Sequence, residues 1–136
     1  MAYALMDIGN TSIDVKMFPD SKSSFIFQLN RSIKSLTLFF SRFSLNHIFI
    51  SSVSPSINHI IKSLNKPNIY FFTHDHFSDI AINIRPIESI GIDRLVNVVA
   101  VLNKYQPNTI VIDAGTAITC CYVNSNGEYD GGIILP

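Results

Sequence analysis

The 136-residue sequence has no tryptophan, and charged side chains make up only 15% of it. Ten basic side chains are balanced by ten acidic ones, so the formal net charge is zero. Nucleic-acid-binding and membrane-surface proteins normally carry a basic excess, and the sequence therefore disfavours both classes. It also lacks an apolar run of the roughly 18 residues that a membrane span needs. No basic segment precedes the apolar N-terminus, as a signal peptide would require.

Cysteine is scarce as well, since Cys120 and Cys121 are the only two and are adjacent. Neighbouring cysteines rarely form a disulfide with each other, and no C-x-x-C spacing is present, so a reducing cytoplasm is the predicted compartment. Hydrophobic residues, by contrast, reach 47%. A chain of this length can build one core. We expect so apolar a chain to bury further surface against a partner subunit or additional sequence.

Residues 2–18 are predicted to form two short strands joined by a tight turn, because apolar residues lead into the turn and alternate with polar ones after it. Gly9 and Asn10 tolerate the positive φ that a tight hairpin requires. The turn's backbone N–H groups, with small polar side chains such as Thr11, form a nest of donors that can hold phosphate oxygens. Asp7 would repel a bare phosphate, so this chemistry needs a metal ion between the two. The alternative is an ordinary hairpin built from turn-forming residues.

Residues 109–119 repeat this scheme with an apolar strand, then Asp113-Ala114-Gly115, then the hydroxyl residue Thr116 and a second strand. Two Asp-x-Gly hairpins far apart in one chain suggest two copies of one supersecondary unit. Two such hairpins facing each other across a cleft could hold one nucleotide from both sides. That arrangement resembles the superfamily of acetate kinase, sugar kinases, Hsp70 and actin.

Between the two hairpins, hydrophobic periodicity predicts alternating strands and helices. The predicted strands are 25–29, 47–51 and 69–72, and the predicted turns are 19–22 and 51–55. The first predicted helix is 31–43. The second is capped by Ser56 and runs to Leu64, and the third begins at Gly91 and is ended by Pro107. This order predicts an α/β fold. A ribonuclease-H-like (actin-like ATPase) domain with a mixed five-stranded sheet would span residues 1–106, and a second similar domain would begin at 107–136.

The stretch 73–90 has only a weak strand signal, at 80–84, and its length is typical of a functional loop. It contains His74-Asp75-His76, whose imidazoles could share a metal ion on a strand. No third ligand is apparent, so solvated loop histidines are the favoured interpretation. Asp93, in the first turn of the third helix, has a structural alternative too, because the helix macrodipole favours a carboxylate there.

With these pieces in place, the sequence resembles the type III pantothenate kinases. Four stretches carry the resemblance: Asp7-Ile8-Gly9-Asn10-Thr11, Gly91-Ile92-Asp93-Arg94, Asp113-Ala114-Gly115-Thr116-Ala117-Ile118-Thr119 and Gly131-Gly132-Ile133-Ile134-Leu135-Pro136. The turn at 51–55 also lies where the family has a similar one. Each stretch alone is a weak signal, but their order and spacing together are specific, and they span the whole chain.

The resemblance implies a role for each of these positions. The phosphate loop for ATP would consist of Asp7, Ile8, Gly9, Asn10, Thr11, Ser12, Ile13 and Asp14, with Thr116 as a further ATP contact. Pantothenate would be contacted by Gly91, Ile92, Asp93 and Arg94, with Asp93 as the catalytic acid–base residue. Asp113 would help to hold a monovalent cation, K⁺ or NH₄⁺, and Asp7 could hold Mg²⁺. The family is cytoplasmic and homodimeric, and it uses ATP and Mg²⁺ to make 4′-phosphopantothenate, the first step of coenzyme A biosynthesis.

The sequence departs from the family pattern at two places. The family usually has an acidic residue two positions after Thr119, where this chain has Cys121, and it often has Tyr and Asn-Pro where this chain has Ile84-Arg85-Pro86. The resemblance also implies that family members continue well beyond Pro136. A second hypothesis is therefore a non-catalytic, Baf-like regulatory or binding relative of the same fold. A sugar kinase of the same superfamily is a third, which Gly91-Ile92-Asp93-Arg94 disfavours.

Overall fold

The computed structural model describes residues 2–18 and 26–136. Contacts among residues divide the chain into two compact units, Met1–Phe72 and Thr73–Pro136. This division lies earlier in the chain than the domain boundary expected between residues 106 and 107. None of the helices in the described ranges is long and apolar enough to cross a membrane.

The first unit is built on one mixed sheet. Its elements are β1 (Tyr3–Ile8), β2 (Ile13–Phe18), β3 (Ile26–Leu29), α1 (Ile33–Arg42), β4 (His47–Ser52), α2 (Pro55–Ser63) and β5 (Ile69–Phe71). The strand order is β3-β2-β1-β4-β5. β1 and β3 are antiparallel to β2, whereas β1 with β4 and β4 with β5 are parallel. The predicted mixed five-stranded sheet is therefore confirmed.

The core of this unit lies on one face of the sheet, under both helices. Alternate residues of β1 and β2 point to that face because side chains in a strand have a period of two. The buried cluster comprises Ala4, Met6, Ile8, Ile13, Val15, Ile48 and Ile50 from the strands and Leu36, Phe39, Phe40, Ile57 and Ile61 from the helices. Burying this apolar set is what fixes the register of the central strands.

The helix starts differ in part from the sequence prediction. Ser32 caps α1, with its side chain accepting from the Ser35 N–H over 3.2 Å. The prediction that Ser56 caps α2 is wrong, because the helix already begins at Pro55 and Ser54 occupies the cap position without a side-chain hydrogen bond. Proline's fixed φ suits the first helical position, where its missing N–H costs nothing. The predicted turn at 19–22 lies outside the described residues.

The second unit consists of α3 (Ile92–Lys104) and a sheet of β6 (Thr109–Ala114), β7 (Ile118–Val123) and β8 (Tyr129–Leu135). The three strands are antiparallel in chain order, and α3 contacts β6 and β7. The buried side of α3 carries Ile92, Leu95, Val98 and Val101. The helix ends at Lys104, before the predicted stop at Pro107.

The stretch 73–90 forms short 3₁₀ turns at His74–Phe77 and Ile87–Ser89. The weak strand expected at 80–84 is reduced to a single parallel bridge between Ile82 and Tyr129. Its hydrogen bonds run from the Tyr129 N–H to the Ala81 carbonyl over 2.8 Å and from the Asn83 N–H to the Tyr129 carbonyl over 2.9 Å. This bridge attaches the loop to the first residue of β8.

The sheet of the second unit has one buried and one exposed apolar face. Cys121, Val123 and Tyr129 are buried on the first. Strand register places alternate residues on the other face, where the exposed apolar side chains are Ile110, Ile112, Ile118, Ile133 and Leu135. Ile112 is 67% exposed. So large an apolar surface is typical of one that another protein segment covers.

The close packing around Gly132 in β8 predicts that replacing this residue strongly lowers the stability of the fold. A Cβ on Gly132 would lie 1.7 Å from the Cys120 carbonyl oxygen, which is backbone and cannot rotate away. We expect Gly132→Ala to lower the free energy of unfolding by about 3 kcal/mol, measured by urea denaturation. In the matched control Gly115→Ala, the new Cβ meets nothing closer than the Ala117 carbonyl at 3.8 Å. Equal stability of the two variants would contradict the close approach of β7 and β8.

Candidate functional site

The first candidate phosphate loop is the four-residue turn from Gly9 to Ser12, which joins β1 and β2. The Gly9 N–H donates to the Ser12 carbonyl over 3.0 Å, and Asn10 and Thr11 are exposed at the tip. The expected positive φ at Gly9 and Asn10 is wrong, since neither residue has it. Four residues spread the chain reversal, so none has to adopt the left-handed conformation that a two-residue turn demands.

Two carboxylates lie at the base of this turn. Asp7 and Asp14 are cross-strand partners in the β1–β2 ladder, a position where Cβ atoms are about 4.5–5.5 Å apart. Ser12 Oγ donates to Asp14 Oδ2 over 3.2 Å, and Asp7 is exposed. Like charges directly opposite each other destabilise a strand pair. A cation bound beside them would relieve that repulsion.

Arg31 joins the first turn to the segment that follows β4 in the same unit. Its Nη1 donates to the Gly9 carbonyl, and its Nη2 donates to Ser54 Oγ over 2.8 Å. The Val53 N–H also donates to the Ile8 carbonyl over 3.0 Å. The first turn and the predicted 51–55 turn are therefore neighbours. Sequence reasoning missed Arg31, because a guanidinium that binds a carbonyl 22 residues away leaves no local pattern.

The second candidate turn joins β6 to β7 and has exposed polar residues at its start. The Gly115 N–H donates to the Ala117 carbonyl over 3.1 Å, and both Asp113 and Thr116 are exposed. Asn97 Nδ2 of α3 donates to Asp113 Oδ2 over 3.4 Å. This contact ties the end of β6 to the helix that carries Asp93.

The start of α3 places Asp93 in its first turn. Asp93 Oδ1 accepts from the Arg94 N–H over 2.8 Å, and that N–H also lies 3.1 Å from the Gly91 carbonyl. This contact supports a structural role for Asp93 at the helix start, because one carboxylate oxygen accepts from an N–H of the first turn. An asparagine could make the same contact through its side-chain oxygen.

The side chain of Arg94 packs among Cys121 and Tyr129. Arg94 Nε donates to Cys121 Sγ over 3.2 Å, and the Tyr129 hydroxyl donates to the same sulfur over 3.6 Å. The guanidinium carbon lies 5.9 Å from the centroid of the Tyr129 ring. Arg94 Nη2 is buried and has no hydrogen-bond partner among the residues that the structure describes. The sulfur therefore satisfies Nε but leaves Nη2 without an acceptor.

Electrostatics keep Arg94 and Tyr129 each in one protonation state. Burial alone would lower the pKa of Arg94, but the hydrogen bond to Cys121 and the nearby Cys121, Tyr129 and Asp93 groups raise it above its ordinary value. Burial raises the pKa of the Tyr129 hydroxyl far above its usual range, and the hydrogen bond with Cys121 adds to the shift. Arg94 stays a cation and Tyr129 stays a neutral donor at physiological pH.

The two loop histidines make contacts within their own unit. His74 Nε2 lies 2.9 Å from the Ile90 carbonyl, and His76 Nδ1 lies 2.9 Å from Thr73 Oγ1. Across residues 2–18 and 26–136, no three His, Cys, Asp or Glu side chains group closely enough to hold a metal ion. His76 closes the capping box at the start of the 3₁₀ turn, and His74 links that turn to Ile90.

Comparison with known proteins assigns this chain to a family. The model of the type III pantothenate kinase family matches residues 4–136. The chain belongs to that family. A type III pantothenate kinase of Thermosipho africanus is 38% identical over 144 residues, which cover 97% of this chain and 57% of the relative. One of Flavobacterium johnsoniae is 31% identical, with 96% and 56% covered.

A solved structure is also similar to this pantothenate kinase family chain. A protein of Campylobacter jejuni, described as a Baf family transcriptional activator, superposes with a TM-score of 0.62 at 26% identity. The match covers 98% of this chain and 54% of the other. The chain therefore spans little more than half the length of the relatives it matches.

The family positions do not all present their side chains to a ligand. Ile8 and Ile13 are fully buried in the core of the first unit, and Ile92 is 8% exposed. These three residues could contact ATP or pantothenate only through their backbone. Tyr129 was missed by sequence reasoning, and its only signal there was a lone aromatic residue ahead of the Gly-Gly pair. Cys121 was noticed only as a departure from the family pattern.

The hydrogen bonds of Arg31 predict that this side chain holds the first turn in place. Arg31→Ala removes both, and we expect a loss of about 1–2 kcal/mol in the free energy of unfolding. Amide hydrogen exchange should become faster at Gly9 and Val53. Arg42→Ala, at an exposed position in the last turn of α1, serves as the control. Unchanged exchange at Gly9 in Arg31→Ala would show that the turn does not depend on this contact.

The raised pKa of Tyr129 predicts a pH-dependent contribution to stability. Below pH ~10 the phenol is protonated in both the folded and the unfolded chain, so its contribution is complete. As the pH rises further, the unfolded chain loses this proton first and the folded state loses stability. The difference in unfolding free energy between the wild type and Tyr129→Phe, measured by urea denaturation, should therefore shrink at alkaline pH. A constant difference would mean that the phenol is not buried.

Proposed function

We propose that the protein carrying this chain transfers the γ-phosphoryl group of ATP to the primary alcohol of pantothenate, giving 4′-phosphopantothenate for coenzyme A biosynthesis. The observation that carries the proposal is the family match over residues 4–136, combined with Asp93 and Arg94 at the start of α3. We also propose the ribonuclease-H-like (actin-like ATPase) assignment, with domains at 1–106 and 107–136. The mixed sheet of the first unit and the repeated Asp-x-Gly hairpin support it.

The two Asp-x-Gly turns are the proposed ATP contacts. In the first, the polar residues Asn10 and Thr11 are exposed at the tip, where backbone N–H groups of a turn can meet phosphate oxygens. In the second, Thr116 is exposed beside Gly115. Arg31 fixes the first turn by donating a hydrogen bond to the Gly9 carbonyl. A turn fixed before ATP arrives loses less conformational entropy when the phosphates bind.

The donor sets of the two turns fit the proposed cations. Asp7 and Asp14 face each other at the base of the first turn, and Mg²⁺ is commonly held by one or two carboxylates together with substrate phosphates. Asp113, which accepts from Asn97, would hold K⁺ or NH₄⁺ with other oxygen atoms. When bound, the divalent ion would neutralise charge on the phosphates, which is its usual contribution to phosphoryl transfer.

Asp93 is the proposed general base. The alcohol oxygen of pantothenate attacks the γ-phosphorus, the bond from that phosphorus to the β,γ-bridging oxygen breaks, and the alcohol proton passes to the Asp93 carboxylate. One oxygen, Oδ1, already accepts from the Arg94 N–H, so the other would receive the proton. The same hydrogen bond orients the carboxylate. Because the transition state is loose, positioning supplies most of the rate.

Arg94 is the proposed partner of the pantothenate carboxylate. Its guanidinium carries further N–H donors besides the Nε–H that Cys121 accepts, and its raised pKa keeps it charged. Asp93 and Arg94 both lie in the first turn of α3, so a substrate contacted by Arg94 would lie at the same end of the helix as the base. Backbone atoms of Gly91 and Ile92 would complete the contacts.

A regulatory or binding role without turnover is the second candidate. The similar solved structure is described as a Baf family transcriptional activator, and Cys121 stands where the family usually has an acidic residue. The relatives with the higher identity are named as kinases. The kinase is therefore the proposal that we favour. We further propose that the protein is cytoplasmic and a homodimer. The large exposed apolar face of the β6–β8 sheet fits burial against a second copy or against additional sequence.

The test of the kinase proposal is the variant Asp93→Asn, which keeps the contact to the Arg94 N–H but cannot accept a proton as a carboxylate does. Losing a general base typically costs about 10²–10⁴-fold in rate, and the loose transition state favours the lower end. Steady-state formation of ADP with pantothenate should fall by about this factor in the protein that carries the chain. ATP affinity and the melting temperature should change little.

The matched control is Asp75→Asn, which removes a carboxylate from the exposed 3₁₀ turn. Its turnover should equal that of the wild type. Unchanged turnover in Asp93→Asn, with a lower melting temperature, would make Asp93 a helix-start residue only. Absence of pantothenate-dependent ADP formation in the wild-type protein would favour the regulatory candidate.

A further inference from the structure

Only some of the N–H groups of the Arg94 guanidinium have a hydrogen-bond acceptor. Cys121 Sγ accepts from Nε over 3.2 Å, but the buried Nη2 has no partner among the described residues. A carboxylate has two oxygen atoms and can accept from both of these nitrogens in parallel, whereas one sulfur atom cannot. A buried donor left without a partner is unfavourable, because its hydrogen bond to water is lost and not replaced.

Two donors, Arg94 Nε and the Tyr129 hydroxyl, meet the Cys121 sulfur on the buried face of the β6–β8 sheet. Cys121 is 1% exposed and Tyr129 is fully buried, and the Tyr129 hydroxyl points its proton at the same sulfur over 3.6 Å. The ring of Tyr129 lies under the guanidinium at 5.9 Å. Arg94 is thus set by one sulfur contact and one ring contact.

We propose that Cys121 is the positioning residue for Arg94, and that its single sulfur acceptor holds the guanidinium more loosely than a carboxylate at this position would. The proposal rests on the proposed role of Arg94 in binding the substrate carboxylate. A carboxylate at position 121 would pair with both Nε and the orphaned Nη2, and it would keep the hydrogen bond from Tyr129. An alanine there would leave both nitrogens unpaired.

The direct readout is solvent exchange of the Arg94 Nε–H proton, followed by NMR without any substrate. We expect exchange to be fastest in Cys121→Ala, slower in the wild type and slowest in Cys121→Asp, with at least a fivefold spread, about the effect of one hydrogen bond. Cys121→Ser retains one acceptor and should exchange like the wild type, which separates loss of the contact from loss of packing. Equal exchange in Cys121→Ala and the wild type would overturn the proposal.

The second readout is pantothenate affinity, measured by calorimetry on the protein that carries the chain. Cys121→Ala should weaken binding about tenfold, as expected for the loss of one hydrogen bond to a charged group. Cys121→Asp should strengthen it. The control is Cys120→Ala, the neighbouring cysteine on the opposite face of the sheet, which should leave both readouts unchanged. If Cys120→Ala changes exchange at Arg94 as much as Cys121→Ala does, the effect is general loosening and the proposal fails.

The two readouts separate this proposal from the proposed function. If the wild-type protein binds no pantothenate while the exchange order holds, Cys121 positions Arg94 and the assigned substrate is wrong. If pantothenate binds and the exchange order is absent, the substrate assignment survives and the role of Cys121 does not. If Cys121→Asp fails to fold, the order of Cys121→Ala, Cys121→Ser and the wild type still decides the matter.

Discussion

The two-sided pairing of β1 is the constraint on which the first unit depends. Its antiparallel partner β2 requires a turn directly after Ile8, and its parallel partner β4 must end at the same edge of the sheet. Parallel strands end at a common edge, so the loop after β4 comes to lie beside the turn after β1. The hydrogen bond from Val53 to Ile8 and the two donated by Arg31 are consequences of that register. A one-residue slip would turn every core residue of β1 outward.

A different constraint governs the second unit, where β7 and β8 approach too closely for a side chain at Gly132. That approach places Tyr129 and Cys121 on the same buried face, under the first turn of α3. Arg94 lies in this turn, and its side chain contacts Cys121 of β7 and Tyr129 of β8. The chemistry of position 121 therefore acts directly on the side chain proposed to bind substrate.

Much of the fold could be predicted from the sequence, because the hydrophobic periodicity of the strands and helices is regular. The five-stranded sheet and its helices follow from that pattern, and the predicted strand at 47–51 is present as β4. Where the prediction failed, the backbone conformation of a turn or of a helix start decided the outcome. The turn after β1 has four residues and needs no positive φ, and Pro55 started α2 earlier than Ser56 suggested.

The candidate site was predictable only where motifs name residues that are close in sequence. Asp7 to Thr11, Gly91 to Arg94 and Asp113 to Thr119 were proposed in this way. Arg31, Asn97 and Tyr129 were not, because each acts through a side-chain contact with a residue 8 to 22 positions away that no local motif marks. The role of Cys121 is of the same kind. The sequence showed only that Cys121 departs from the family pattern. The hydrogen bond from Arg94 Nε is what suggests its role.

The central claim is that both Asp-x-Gly turns bind the phosphates of ATP. The most direct test is amide hydrogen exchange of the protein with and without saturating MgATP, compared residue by residue. The account predicts slower exchange at Gly9, Asn10 and Thr11 and also at Gly115 and Thr116, with no change at the exposed turn around Asn126. Protection at neither turn, or equal protection at all exposed turns, would contradict it.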